Sequence, residues 1–266
     1  MGCFVNFPLM SQLIEFGENC VYHIYNRGAA KLPIFHGPDD YHDFEDILRY
    51  LLEGFPIREV YETSRSNSQF LRSTVDKLHL PISYKADPLG NGLFKQYLQL
   101  LAYSLMPNHF HLLIRLINPD GQLRRSTGSL RNFPPVSEFI KRLLITYAHK
   151  FNYRNNHQGT LFQGRTKIKQ VDSDEYVVQV ARYIHLNASS AGLVKQPELW
   201  PYSDYQLYRF PKDSGSLRNF PFVNSEFLLG YFGNRPEEYV KFVEAGIAPD
   251  EAIRISPFTI DHNQDD

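Results

Sequence analysis

Two histidines one residue apart, His109 and His111, are the positions in this chain best placed by type and spacing to do chemistry. They flank Phe110 at the start of the apolar run His109-Phe-His-Leu-Leu-Ile114. Strand side chains alternate faces with a period of two, so both imidazoles point one way and Phe110 points the other. Two imidazoles side by side are potential metal ligands; the alternative is a pair of polar residues on a solvated face. A second candidate pair is Tyr183 and Asn187, which lie on one helical face together with Tyr176 and Val180. A core-facing helix fills such a stripe with Leu and Ile. Here a phenol and an amide oxygen could face something polar, or Tyr183 could be an anchor with its hydroxyl in water.

The elements that must carry these residues can be read from periodicity. Val21 to Tyr25 has strand character and ends at the turn Asn26-Arg27-Gly28. Tyr41 to Leu52 has apolar residues at helical spacing, with acids in the first turn where the helix dipole favours them. Ser64 to Gly92 is polar, is broken by Pro81, Pro88 and Gly90, and reads as an insert. Leu98 to Met106 and Phe110 to Leu116 are paired strands joined at a Met-Pro-Asn turn. Gly121 to Pro135 reads as a polar, Arg-bearing linker.

Ser137 is the expected N-cap of a helix running to about Tyr153, with Val136, Ile140, Leu143 and Tyr147 on one face. Thr166 to Val171 alternates like an edge strand, and Asp172 or Ser173 caps a helix from about Asp174 to Leu186. This βαββαβ order predicts an α+β fold: a ferredoxin-like antiparallel sheet with helices on one face and the other face left for a site. Residues 1–205 form the expected main domain, with the insert at about 64–92, and residues 206–266 a helical extension. Within that extension, helices are expected at Ser225 to Tyr231 and Pro236 to Glu244, followed by a frayed end. Gly128-Ser-Leu-Arg-Asn-Phe-Pro134 recurs as Gly215-Ser-Leu-Arg-Asn-Phe-Pro221, each copy leading into Ser-Glu-Phe; these read as similar helix lead-ins.

At 266 residues and 42% hydrophobic composition the chain can bury a core and is not disordered. The formal net charge of -1 says nothing about a polyanion, but its distribution does. Between Gly121 and Val171 the only acid is Glu138, against ten basic residues. Such a basic middle third fits a local polyanion site, or else a solvated helix face. Two cysteines without a CxxC pair point to a reducing compartment. No Lys or Arg precedes Arg27, which leaves no signal-peptide charge pattern, and Asn6 stands where a myristoylation start needs Ser or Thr. A cytoplasmic location, without membrane attachment, is the expectation.

Met106-Pro-Asn-His-Phe-His-Leu-Leu-Ile114 resembles the HUH motif of single-tyrosine, single-strand DNA transposases of the IS200-like family, and within it the REP-associated tyrosine transposase group. Further stretches match that group in order: Tyr22-His-Ile-Tyr-Asn-Arg-Gly28, Leu161-Phe-Gln-Gly-Arg165, Tyr183-Ile-His-Leu-Asn-Ala-Ser-Ser-Ala-Gly-Leu-Val194 and Trp200-Pro-Tyr-Ser203. The match spans about residues 20–205. The family commonly has Asn-Pro-Val-Arg where this chain has Asn187-Ala-Ser-Ser190.

The resemblance implies a metal-dependent nickase and ligase that cleaves single-stranded DNA near hairpins through a 5′-phosphotyrosine. It implies Tyr183 as nucleophile, His109, His111 and Asn187 as metal ligands, and Mg²⁺ or Mn²⁺ as the metal; imidazoles alone would equally suit Zn²⁺. Arg27, Arg165, Lys167 and Lys169 are the expected phosphate contacts, and Tyr25 a candidate to stack on bases. The partner is single-stranded or hairpin DNA, with a homodimer that exchanges the Tyr183 helix also open. Two other readings remain: a hairpin-binding protein with little or no cleavage, and a zinc hydrolase acting on small molecules.

Overall fold

A computed structural model of the protein describes residues 16–53, 92, 94–118, 121–124, 130–210 and 222–246. Its centre is a four-stranded antiparallel sheet built from β1 (Val21–Arg27), β2 (Leu98–Met106), β3 (His109–Leu116) and β6 (Lys167–Val171), in the order β2-β3-β1-β6. With α1 (Pro38–Glu53) after β1 and α2 (Pro135–Asn155) before β6, this is the expected βαββαβ order. Each helix returns the chain across the sheet, so sequential β2 and β3 form a hairpin while β1 inserts between β3 and β6.

The alternation of β1 and β3 sorts side chains onto two faces. Tyr22, Ile24, Phe110, Leu112 and Ile114 face α1 and α2 and join Phe44, Ile47, Leu48, Phe139, Leu143 and Tyr147 in one buried cluster. The stripe read on α2 is the one it buries. Val21, Leu113 and Val171 face the other way, under α3 (Asp174–Ser190) and three short helices of the extension: α4 (Gln206–Arg209), α5 (Ser225–Gly230) and α6 (Pro236–Glu244). The second face is therefore half covered, and only its other half is left for a site.

A β-bulge at Leu101 reverses the phase of β2. Before it Leu98 and Leu100 face the α1/α2 cluster; after it Tyr103 and Leu105 do, while Leu101 and Ala102 both face the extension. The carbonyl of the extra residue accepts from the Tyr208 hydroxyl at 3.2 Å, so the bulge is anchored by the extension.

Several expectations are corrected. Gly121–Arg124 and Leu130–Phe133 are not linker but the strands β4 and β5 of an antiparallel hairpin. α2 begins at Pro135, with Pro134 as the cap residue, so Ser137 is already inside it; a proline at the first helical position has no N–H to lose. α3 is capped by the Ser173 side chain, which accepts from Tyr176 N, and runs on to Ser190. Asn187 is thus within the helix. The insert 64–92 (all but Gly92), the second copy of the repeat and the C-terminal end after residue 246 lie outside the described residues.

Candidate active site

The uncovered half of the second face carries a run of polar side chains in register. β1 pairs Tyr25 with His111 and Arg27 with His109 on one side, and His23 with Lys169 and Tyr25 with Lys167 on the other. Directly paired residues share a face. His23, Tyr25, Arg27, His109, His111, Lys167 and Lys169 therefore line one surface, on which Ser104 of β2 lies opposite His111.

His111 sits at the middle of this surface and is fully buried. Its ring centroid is 5.1 Å from that of His109, and Tyr183 meets it edge-on at 5.4 Å and 83°. Tyr183 reaches this position from α3, which lies over the same face of the sheet and holds Tyr183 half-buried. The structure thus brings His109, His111 and Tyr183 together within one chain. Asn187 follows one helical turn after Tyr183 on the same stripe and is nearly buried.

Two residues that the sequence did not single out complete the arrangement. His23, also fully buried, places Nε2 2.9 Å from His111 Nδ1, with the two ring planes within 14° of parallel. Burial pushes the His23 imidazole down to about 3, with the Lys169 cation adding to the effect. Burial likewise pushes His111 well below the ordinary histidine range, helped by His23 and His109. Both rings are neutral at physiological pH, the form in which imidazole binds metals. Asn108 places Oδ1 2.7 Å from His109 Nδ1. A carboxamide oxygen only accepts, so His109 carries its proton on Nδ1 and keeps its lone pair on Nε2, which is buried. His23 could have been noticed as a histidine on the same alternation as Val21 and Tyr25; Asn108 had no signal beyond its place in the turn.

These donors fit a metal. His111 Nε2 is buried and has no hydrogen-bond partner among the described residues, the condition of a nitrogen waiting for a ligand. His23 does not offer a third imidazole through Nε2, which is engaged by His111. Among the described residues no cluster of three or more His, Cys, Asp or Glu side chains is placed to hold a metal ion, so a third protein ligand has to be of another type.

The four expected phosphate contacts divide. Arg27, Lys167 and Lys169 share the surface of the histidines; burial, then the neighbouring Lys167 cation, pulls the Lys169 ammonium down. Arg27 Nε donates to Gln163 Oε1 at 2.7 Å. Arg165 is exposed in the loop before β6, off the sheet. Tyr25 is 1% exposed, packed against His23 and His111, and has no open ring face for a base, which corrects the stacking expectation. Part of the basic middle third is also paired with acids of the chain. Lys141 and Arg142 pair with Glu138, while Lys150 and Arg154 pair with Asp43 of α1. All four lie on α2, across the sheet from the histidines.

No protein-family model matches the chain, and no curated protein matches it either. Among solved structures, the chain resembles a REP-associated tyrosine transposase bound to a REP hairpin, with 15% identity and a TM-score of 0.37 over 81% of this chain and 92% of that one. At that TM-score the likeness says nothing about function. No described helix is long and apolar enough to cross a membrane.

Proposed function

We propose that this chain is a metal-dependent transposase of the HUH single-tyrosine kind, which cleaves and rejoins single-stranded DNA near hairpins in the cytoplasm. The observation that carries the reading is the placement of Tyr183 edge-on to His111, with ring centroids 5.4 Å apart, on a surface that also holds His109 and three cations. The sequence resemblance to the REP-associated group supports it. Residues 1–205 would be the catalytic domain and 206–266 its extension.

His109, His111 and Asn187 would hold Mg²⁺ or Mn²⁺, leaving coordination positions open for substrate. When bound, the metal would draw charge from the oxygens of the scissile phosphate. The chain's own groups do the rest. Forming phenolate from a tyrosine of ordinary pKa at pH 7 costs about 4 kcal/mol, which the cations on the same sheet face would help to offset. Tyr183 Oη bonds to phosphorus as the P–O3′ bond breaks, giving a 5′-phosphotyrosine and a free 3′-OH. The new linkage is still a phosphodiester, so another 3′-OH can reverse the step and join new ends. Arg27, Lys167, Lys169 and Arg165 would hold phosphates, with an affinity that falls as salt rises. The short intrachain distance to His111 supports use of the chain's own Tyr183, without helix exchange in a homodimer.

The test is incubation with a labelled hairpin oligonucleotide and Mn²⁺. Wild type is expected to form a covalent adduct and Tyr183→Phe none. Binding by both proteins with no adduct from either would refute cleavage and leave a hairpin-binding protein. Activity on small-molecule esters that survives Tyr183→Phe would point to a zinc hydrolase instead.

A further inference from the structure

The two histidines on β3 are held in parallel ways. His109 has its Nδ1 fixed by Asn108 Oδ1 at 2.7 Å, and His111 has its Nδ1 2.9 Å from His23 Nε2. The contact is a true in-line hydrogen bond: the ring centroids, 5.1 Å apart, are separated by about what a straight bond through two nitrogens 2.9 Å apart requires. One of the two nitrogens must donate and the other accept. If His23 donated, His111 would carry its proton on Nε2, with no lone pair left there to bind a metal. If His111 donates, Nε2 keeps its lone pair. Metal-bound histidines usually give their other N–H to a carboxylate or carbonyl; here the neighbour in reach is a second imidazole.

We propose that His23 is a positioning residue: it accepts the Nδ1 proton of His111, which locks the His111 ring orientation and the tautomer in which Nε2 can bind a metal. The inference rests on the metal-dependent reading of this site and deepens it. It also assigns a role to a histidine on the central strand that neither attacks DNA nor binds the ion. The sheet register makes the pairing rigid, since β1 and β3 are ladder neighbours through Tyr25 and His111.

Two measurements test it. In the full-length protein without metal, long-range proton–nitrogen correlation spectra are expected to show His111 protonated at Nδ1; protonation at Nε2 overturns the proposal. Mn²⁺ affinity, read by calorimetry and by electron paramagnetic resonance, is expected to fall about 10- to 100-fold in His23→Leu. It is expected to stay within a few-fold of wild type in His23→Gln, whose amide oxygen can accept the same proton. Rescue by the glutamine separates acceptor chemistry from simple loss of packing, and melting curves of both variants report their folding. Equal loss in the two variants, or no loss in His23→Leu, overturns the inference and leaves the metal reading standing. A wild-type protein that binds no Mn²⁺ removes both.

Discussion

Tyr239→Phe removes a single oxygen from a place that water cannot reach. The Tyr239 hydroxyl lies 2.8 Å from His185 Nδ1, and the opposite nitrogen of that ring, Nε2, donates to Asp204 Oδ1 at 3.1 Å. Asp204 Oδ1 also accepts from Tyr103 N of β2 at 2.7 Å. Tyr239, His185 and Asp204 are all fully buried or within 1% of it. The chain of bonds ties α6 to α3, and α3 to the sheet, two residues beyond Tyr183. The substitution keeps the ring and its packing against Tyr208 and Phe232 but leaves His185 Nδ1 with no partner.

A buried polar atom stranded in this way costs about 1–3 kcal/mol, against a few tenths for a hydroxyl that water could replace. For a protein of this size about 2 kcal/mol corresponds to a fall in Tm of roughly 4–8 °C. Urea unfolding followed by circular dichroism, with Tm by calorimetry, measures it. The control is Tyr231→Phe, whose more exposed hydroxyl donates to Asp174 at 2.9 Å and which should cost well under 1 kcal/mol. A loss below about 0.5 kcal/mol in Tyr239→Phe, or equal losses in both, would refute the argument that the extension holds the Tyr183 helix through this bond.

Two further predictions rest on buried charge. His23 and His111 have their folded pKa values depressed, so the unfolded state binds more protons below about 6.5 and stability should fall on acidification from there toward pH 3, by at most about 1.4 kcal/mol per pH unit for each ring. Unfolding midpoints measured from pH 7.5 to 4.5 check this, and His23→Gln should flatten the slope. Asp43→Ala should cost about 3–5 kcal/mol, because it strips the carboxylate from buried Lys150 Nζ at 2.9 Å and from Arg154 at 2.6 Å; a chemical denaturation curve within 1 kcal/mol of wild type would contradict it.

How much of this was legible beforehand depends on where alternation exists. β1, β3 and β6 could be placed within a residue or two because histidine, asparagine or lysine interrupts their apolar positions and shows the face. β2 reads Leu-Gln-Leu-Leu-Ala-Tyr-Ser-Leu-Met, nearly all apolar, so nothing in it marks the bulge at Leu101. The β4–β5 hairpin escaped because its four-residue strands are too short for a period. Its polar composition reads as linker. The basic middle third misled in another way: charge along a sequence does not say which cations have acids from a distant helix beside them.

The sequence by itself determined that His109 and His111 share a face, that Tyr183 and Asn187 share another, and that the elements come in βαββαβ order. These are consequences of local periods, 2.0 and 3.6 residues, which need no knowledge of the rest of the chain. Only the tertiary structure decided that the two faces meet. It also decided that Tyr25 is buried beneath the site rather than open to a base, and that His23 lies against His111. Those facts depend on β1 inserting between β3 and β6 and on α3 folding back over the sheet. Such juxtapositions come from packing between residues about 70 positions or more apart, which leave no mark on either stretch alone.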